Sequence, residues 1–286
     1  MGGQGRTRGR GRVKRKEVET EDGWTVVTHG LSNLSIGKDG GKSGCGSEKV
    51  AGALPTDVVQ GLTAEKLMGD FKKLQERWED TSMAKQIEEI LNMRHCNIDS
   101  AVCIGIGSLS RDWAHRWRSL WQLVLFVDVV TRCKSKTRRE AGVKTYAQDP
   151  AFTPLDVTFL KELDIEVTET GIENHMVETT FVYSPFVDWY LLLPLFLKGK
   201  DPLLYVGNEV LDDYTPYGQS QEKKAKLEEC NKLGKDFLVV RDRVKLKEFD
   251  LHANALNGMV AYWRREEDLE EMKEDMRAKN GEEEGA

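Results

Sequence analysis

The chain has 286 residues, of which 39% are hydrophobic, and a formal net charge of −6. This length suffices for one large α/β domain or two small ones. Residues 1–16 carry seven basic side chains and no acid, and residues 264–286 carry ten acids and five bases, so residues 17–263 have a net charge of −8. A middle segment of that sign argues against a nucleic-acid-binding core.

The cysteines and the apolar runs exclude two further classes of protein. Five cysteines stand at irregular spacing without a C-x-x-C pair, which argues against structural zinc and fits a reducing compartment. The longest apolar run covers nine residues, 189–197, whereas a bilayer span needs about 20. The N-terminus lacks the apolar stretch of a signal peptide. We therefore expect no metal site and no membrane association.

Residues 1–55 form a polar segment that we expect to be a disordered tail and linker. Its Gly/Arg repeats can bind RNA, and the basic run at residues 14–16 could serve in nuclear import, but a solvated tail is the favoured interpretation. A short β-prone island surrounds Trp24. Residues 40–43 resemble the end of a P-loop, but Ile36 stands where that motif needs glycine, so we interpret them as linker.

Helix and strand patterns alternate along the middle of the chain. Apolar spacings of three and four predict one long or two short helices over residues 63–91. Six strands are predicted over residues 101–106, 143–147, 165–168, 179–183, 203–206 and 237–240, and helices over residues 112–133, 154–163, 188–197 and 221–232. We therefore predict a Rossmann-like, three-layer α/β domain over residues 56–263, with a mainly parallel sheet and helices on both faces. A charged helix or tail is predicted over residues 264–286.

Four of the predicted strands end in glycine or polar residues. Because the carboxyl ends of parallel strands meet at one edge, and ligands bind beyond that edge, we expect these residues to lie together. The candidate ligand-binding residues are Gly105, Gly107, Ser108, Asp149, Ser184, Asn208 and Glu209. The glycines let the backbone approach a ligand, and the following helix offers its positive N-terminal end. The alternative is a tight strand–helix corner whose glycines only avoid steric conflict.

No cofactor fingerprint is complete at this corner. A dinucleotide motif needs glycine where Ser110 stands, and a methyltransferase-type corner usually has an acid at the position of Cys103 and a glycine at that of Leu109. Asp149 could hydrogen-bond ribose hydroxyls, although it lies 44 positions after Gly105, against about 20 in the compact fingerprint. A turn role for this aspartate, which precedes a proline, is equally open. The cofactor is left undetermined.

Candidate catalytic groups are few. Glu209, Asp212 and Asp213 could form a carboxylate cluster for a metal ion or for acid–base chemistry, and loop solvation explains them equally well. The five histidines show no metal-ligand spacing, and Ser108 does not lie in a G-x-S-x-G elbow. We assign no catalytic residue and leave open whether the protein is an enzyme.

Several motifs occur in an order that characterises a known family. They are Gly105-Ile106-Gly107-Ser108, Ser119-x-x-Gln122-Leu123, Gln148-Asp149-Pro150-x-Phe152 followed by Asp156 and Phe159-Leu160, Phe181-x-Tyr183-x-Pro185 and Val206-Gly207-Asn208, with the island around Trp24 upstream. This set, over roughly residues 95–215, resembles the SRR-like domain family, named for "sensitivity to red light reduced". Many members read Pro-His-Cys after the fourth strand, whereas this chain has Pro185-Phe186-Val187. A role that needs that histidine or thiol is therefore not expected here.

The resemblance implies a regulatory protein of the eukaryotic cytoplasm or nucleus with no established reaction. The family has been connected with circadian and light responses and with haem metabolism. Protein partners are expected, and a nucleotide-like small ligand is compatible with the strand ends. Three hypotheses result: a regulatory protein with a small-ligand pocket, a nucleotide- or S-adenosylmethionine-dependent enzyme using Asp149 and Glu209, and an interaction scaffold that docks through its charged tails.

Overall fold

The computed structural model describes residues 15–19, 25–29, 57–94, 97–111, 113–136, 142–252 and 254–265, which fall into two compact units, Met1–Thr56 and Asp57–Ala286. The first unit contributes two antiparallel strands, β1 (Arg15–Glu19) and β2 (Thr25–His29). β2 overlaps the predicted β-prone island, whereas β1 lies where the sequence predicts a disordered tail. Val18 and Val26 are partners in the backbone register of these strands. The rest of the predicted tail and linker, residues 1–14, 20–24 and 30–55, lies outside the described residues.

In the second unit, two helices precede the sheet. Of the two predicted alternatives, one long helix or two short ones, the second is therefore observed. α1 (Ala64–Glu79) begins at the N-cap Thr63, and α2 (Ser82–Met93) begins at the N-cap Thr81. Each threonine hydroxyl accepts a backbone N–H of the first turn, which satisfies a donor that the helix itself leaves unpaired.

The centre of this unit is a seven-stranded sheet. In chain order the strands are β3 (Ser100–Ile104), β4 (Lys144–Gln148), β5 (Ile165–Val167), β6 (Thr180–Ser184), β7 (Leu204–Asn208), β8 (Arg241–Lys245) and β9 (Met259–Arg264). Their spatial order is β5-β4-β3-β6-β7-β9-β8. β3 to β7 run parallel to one another, whereas β9 runs antiparallel between β7 and β8. The predicted mainly parallel α/β fold is confirmed.

The connections between the strands place helices on both faces of the sheet. They are α3 (Trp113–Lys136), α4 (Pro154–Glu162), α5 (Trp189–Leu191) with the π-helical turn Leu192–Leu197, and α6 (Gln221–Val239). The chain moves outward from β3 to β5 in one direction and from β6 to β7 in the other. Because such crossovers are right-handed, α3 and α4 cover one face and α5 covers the opposite face. The reversal between β3 and β6 is a topological switch point, where open α/β sheets bind ligands.

The predicted sixth strand over residues 237–240 is wrong, because α6 continues through most of that run. Cys230, Gly234 and Phe237 are buried at helical spacing along α6. The Phe237 ring packs edge-on against Tyr205, with 5.7 Å between the ring centroids. Tertiary packing of one helix face thus overrides the β propensity of the Phe-Leu-Val-Val sequence.

The two carboxyl-terminal strands are absent from the sequence prediction. β9 is buried along its length and ends at Arg264, the residue at which the sequence predicts the start of a charged helix. The guanidinium groups of Arg264 and Arg241 are buried, and both pair with the carboxylate of Asp201. The rest of the predicted helix, residues 266–286, lies outside the described residues.

The cysteines of the described residues are buried. Cys103 and Cys230 are free thiols, whereas Cys133 in α3 is disulfide-bonded, a state that the irregular cysteine spacing does not predict. Within the same part of the chain, each helix is too short or too polar to cross a bilayer.

Candidate functional site

The turn after β3 is built by two glycines in the left-handed region. Gly105 has a φ of 74° and Gly107 a φ of 76°, values that other residues rarely adopt. A Cβ on Gly105 would lie 2.5 Å from Cγ2 of Val187, and a Cβ on Gly107 would lie 3.2 Å from Oγ of Ser119. Protein atoms therefore fill the space beside both glycines, which favours the steric interpretation of this corner.

The carboxylate of Asp149, after β4, bonds to the same turn. Its Oδ2 accepts the Gly107 N–H at 2.6 Å, and its Oδ1 accepts the Ala151 N–H at 2.8 Å. Burial raises the pKa of Asp149, although these two N–H groups and the charge of Arg118 act to lower it. Pro150 follows in the turn and is exposed. The structure thus brings Gly107 and Asp149 together, with the carboxylate bound to the protein backbone.

Ser108 belongs to a buried network around Asp156. The Ser108 hydroxyl donates to Oδ2 of Asp156 at 2.6 Å, and the Leu109 N–H donates to Oδ1 at 3.1 Å. Thr153 and Asp156 form the capping box of α4, and the Ser110 hydroxyl lies 2.7 Å from the Thr153 hydroxyl. These bonds fasten the glycine turn to the N-terminus of α4, and they use the Ser108 hydroxyl internally.

The family-motif residues Ser119 and Gln122 hold two loops against α3. Both side chains are fully buried. Ser119 donates its hydroxyl to the carbonyl of Ile106 at 2.6 Å, and Gln122 donates its amide N–H to the carbonyl of Ala255 at 3.1 Å. The role of Ser119 and Gln122 is therefore to hold the backbone at Ile106 and Ala255 in position against α3.

The turn after β6 closes the switch point. Ser184 is fully buried, and its hydroxyl has no hydrogen-bond partner among the described residues. Pro185 is buried beside it, and Val187 packs on the glycine turn. Phe186 is 41% exposed, and the Arg118 guanidinium lies 5.3 Å from the centroid of its ring. Where many family members have His-Cys, this chain has a ring that supports an arginine and a branched side chain that fills space.

An open pocket lies further along the same edge, beyond β7. It has a volume of about 240 Å³, and its lining includes Val187, Trp189, Asn208, Glu209, Tyr214 and Tyr217. The rings of Trp189 and Tyr214 are stacked, with 4.7 Å between centroids and 16° between planes. Asn208 donates its side-chain N–H to the Val187 carbonyl at 3.5 Å, so the pocket borders the turn after β6. We call this cavity the Asn208 pocket.

The suggested carboxylate cluster does not assemble. Glu209 is half-exposed at the pocket, with the Arg243 guanidinium at 3.9 Å. Asp213 instead accepts the N–H of Thr215 at 2.9 Å, and hydrogen bonds from the Thr215 hydroxyl and N–H lower the pKa of Asp213. Among the described residues, no group of three or more His, Cys, Asp and Glu side chains could hold a metal ion. Glu209 therefore lines the Asn208 pocket and does not form a cluster with Asp212 and Asp213.

Sequence reasoning misses the aromatic lining and the role of Asp156. Trp189 and Tyr214 are 25 positions apart, one in a predicted helix and one in a loop, and only the fold stacks their rings. A signal for Asp156 was present, since Thr153-x-x-Asp156 has the spacing of a capping box.

The geometry defines the class of this protein: a Rossmann-like α/β domain with a pocket at the carboxyl edge of its parallel strands. The particular family follows from the sequence. A profile of the SRR1 domain matches residues 72–263, and the chain belongs to the SRR1 domain family. This confirms the resemblance seen in the motifs.

Comparison with solved structures finds distant similarities. A putative O-methyltransferase from Klebsiella pneumoniae is 9% identical, with a TM-score of 0.35 over 70% of this chain and 90% of that one. An O-methyltransferase from Bacillus cereus, in complex with SAH, is 11% identical, with a TM-score of 0.35 over 71% and 90%. Scores this low carry no argument about function. No curated protein matches the sequence.

Proposed function

We propose that this SRR1-domain protein is a regulatory protein that binds a small ligand in the Asn208 pocket. The observation that carries the proposal is an open, mainly apolar cavity at the carboxyl edge of a parallel sheet, which is where α/β proteins bind ligands. Its volume of about 240 Å³ is below the roughly 300–1,000 Å³ of typical ligand pockets. The pocket therefore takes one compact group of a ligand rather than a whole dinucleotide or haem.

In this proposal the glycine turn is the wall of the site. Gly107, Ser108 and Asp149 bond to other protein groups, so they fix the shape of the edge instead of contacting the ligand. Asn208 and Glu209 are the polar groups that orient the ligand, because both line the cavity. The Asn208 side chain donates to Val187 through its nitrogen, which leaves its oxygen as the acceptor for a ligand.

The regulatory part of the proposal draws on the family. Its connection with circadian and light responses and with haem metabolism supports a protein that senses a metabolite and passes the signal to protein partners. The same connection supports a location in the cytoplasm, the nucleus or both. The exposed Phe186 adjoins the pocket-lining Val187, so a ligand-dependent shift of this turn would be accessible to a partner.

A thermal-shift panel tests the proposal. The full chain is screened against nucleotides, S-adenosylmethionine and haem, and a ligand at 100 times its Kd should add about 2.7 kcal/mol to the free energy of unfolding. The variant Leu211→Trp fills the pocket and should abolish the shift. Leu195→Trp, at a residue 57% exposed and outside the pocket lining, is the matched control. A shift that survives in Leu211→Trp would move the ligand to another site, and no shift with any compound would remove the support for the proposal.

A second candidate function is S-adenosylmethionine-dependent group transfer, and the strand order favours it. A parallel sheet closed by one reversed strand, β9 between β7 and β8, is typical of Rossmann-like methyltransferases, although a fold alone does not give a function. Asp149 would then bind cofactor hydroxyls in addition to the Gly107 N–H, and Glu209 would be the general base. Full cofactor affinity in Asp149→Asn would remove the first role, and unchanged turnover in Glu209→Gln the second.

A further inference from the structure

We propose that a second cavity, beside β8, binds the phosphate group of a phosphorylated ligand. The inference goes beyond the proposed function, because this cavity differs from the Asn208 pocket in size and in charge. Its volume is about 460 Å³, within the roughly 300–1,000 Å³ of typical ligand pockets. Three arginines line it, Arg241, Arg243 and Arg265, together with the acids Asp212 and Asp242. We call it the Arg243 cavity.

Two paired strands bring the three arginines together. Arg241 and Arg243 are two positions apart in β8, so their side chains lie on the same face of the sheet. Arg265 directly follows β9, the strand that pairs with β8. β8 is the last strand of the sheet, so the cavity lies at an edge of the domain core.

Arg243 and Arg265 keep N–H donors for a ligand. Their side chains are 58% and 48% exposed. The ion pair of Arg243 with Glu209 spans 3.9 Å, and Arg243 also hydrogen-bonds to the Tyr262 hydroxyl. The ion pair of Arg265 with Asp242 spans 3.5 Å. Because a guanidinium has five N–H donors, these contacts leave most of the donors of each arginine to an incoming oxyanion.

The buried part of the lining has a surplus of positive charge. Arg241 and Arg264 are buried, and both pair with the single carboxylate of Asp201. Burial lowers the pKa of Arg241, and the charge of Arg264 lowers it further, although Asp201 acts to raise it. Nε of Arg241 is buried and has no hydrogen-bond partner among the described residues. An anion in the cavity would offset this excess charge, because the attraction is strong where water is excluded.

Guanidinium groups outnumber carboxylates around the cavity. Asp242 is shared by two arginines, since its Oδ2 lies 2.7 Å from Arg94 and its Oδ1 lies 3.5 Å from Arg265. Asp212 is exposed, and it opposes an anion. Within the described part of the chain, the charged lining residues and the ion pairs connected to them comprise Arg94, Arg241, Arg243, Arg264 and Arg265 against Asp201, Glu209, Asp212 and Asp242. The net charge of this group is therefore +1, whereas residues 17–263 together have a net charge of −8.

The arrangement of the donors favours a phosphate over a carboxylate. A guanidinium fork binds two oxygens of a phosphate at once. A terminal phosphate group has three acceptor oxygens, enough to bond to Arg243 and Arg265 together, whereas a carboxylate has two. The volume also leaves room for more than the phosphate itself, since it equals that of about fifteen water molecules at roughly 30 Å³ each.

The test compares inorganic pyrophosphate with succinate, a dicarboxylate, by calorimetric titration of the full chain. We expect pyrophosphate to bind about tenfold more tightly. Arg243→Gln should weaken pyrophosphate about tenfold and Arg265→Gln about three- to tenfold, and both residues are exposed enough for the fold to tolerate the change. Asp212→Asn should tighten binding about two- to fivefold, because it removes a like charge. Arg77→Gln, at an exposed arginine of α1 outside the lining, is the matched control and should leave the affinity unchanged.

Three results would overturn the inference. They are an absence of pyrophosphate binding, equal affinity for succinate, and equal effects of Arg243→Gln and Arg77→Gln. None of them bears on the Asn208 pocket. Because Val210 and Leu211 line both cavities, Arg243→Gln is also run in the thermal-shift panel. A nucleotide shift that this variant abolishes supports the Arg243 cavity, and one that it leaves intact assigns that nucleotide to the Asn208 pocket and counts against the inference.

A phosphate group can belong to a free metabolite or to a lipid head group. Co-sedimentation with phosphatidylcholine vesicles, with and without phosphatidylinositol phosphate, distinguishes the two sources. Sedimentation that needs the phosphorylated lipid and is lost in Arg243→Gln assigns a head group. A protein that binds pyrophosphate yet stays in solution with both kinds of vesicle assigns a soluble ligand, which is the result we expect.

Discussion

The substitution Gly105→Ala tests how the glycine turn is held against the turn after β6. Gly105 has a φ of 74°, and an added Cβ would lie 2.5 Å from Cγ2 of Val187. A left-handed conformation costs alanine about 1–2 kcal/mol. Two carbons at that separation must move apart by about 1 Å or more, since their optimal distance is about 3.5–4.0 Å. Overpacking of this kind costs about 1–3 kcal/mol, so we expect a total loss of about 2–5 kcal/mol.

Urea denaturation with two reference variants separates these contributions. Gly199 has a φ of 68°, and a Cβ added there would meet no atom within 4 Å, so Gly199→Ala should lose only the conformational part, about 1–2 kcal/mol. In a Val187→Ala background, Gly105→Ala should cost no more than Gly199→Ala, which gives a coupling energy of about 1–3 kcal/mol. Equal costs of Gly105→Ala in the two backgrounds would refute the reasoning. Because Val187 also lines the Asn208 pocket, Gly105→Ala should weaken ligand binding as well.

Three further predictions concern buried polar groups and thiols. In Asp149→Asn a single amide oxygen must serve the N–H groups of Gly107 and Ala151. We expect the free energy of unfolding to fall by about 1–3 kcal/mol. Because the folded-state pKa of Asp149 is raised, the stability linked to its protonation is present below the ordinary value near 4 and lost as pH rises through the raised value. The advantage of the wild type over Asp149→Asn should therefore shrink with rising pH in urea titrations, and a growing advantage would contradict this. Asp156→Asn should cost about 2–4 kcal/mol, since three donors converge on that carboxylate, while Glu222→Gln should change the stability by less than about 0.5 kcal/mol. Burial raises the pKa of Cys103 well above its ordinary value and that of Cys230 to about 11, so peptide mapping after brief alkylation at neutral pH should find both unmodified until the protein unfolds.

The parallel half of the sheet could be predicted because local patterns specify it. β3, β6 and β7 are short, mainly apolar runs that end in a glycine or polar turn, as at Gly105 and Asn208, and a helical pattern follows most of the parallel strands. Because the connections between parallel strands are right-handed crossovers, the carboxyl ends of these strands lie at the same edge of the sheet. For this reason the sequence predicts Asp149 beside the glycine turn, where it accepts the Gly107 N–H.

The antiparallel half could not be predicted because its strands depend on distant partners. β8 reads Arg-Asp-Arg-Val-Lys and has a single apolar residue, so neither hydrophobicity nor alternation marks it. It forms because β9 supplies backbone hydrogen-bonding partners, and β9 in turn pairs with β7. The Phe-Leu-Val-Val run at residues 237–240 has strand propensity, yet Phe237 is needed on the buried side of α6. Propensity is a weak guide where packing decides.

The glycine corner shows why a site is harder to predict than a fold. Both interpretations of Gly105, ligand approach and steric relief, require the same residue type at the same positive φ. The residue that decides between them is Val187, 82 positions later in the chain, whose Cγ2 occupies the space in question. Many members of the family have cysteine at this place, and a cysteine has one γ atom where valine has two. The space beside the first glycine is therefore expected to differ within the family, open to a ligand where the side chain is slim and closed where it is branched. In this chain it is closed, and the ligand site that we propose lies further along the edge, at Asn208.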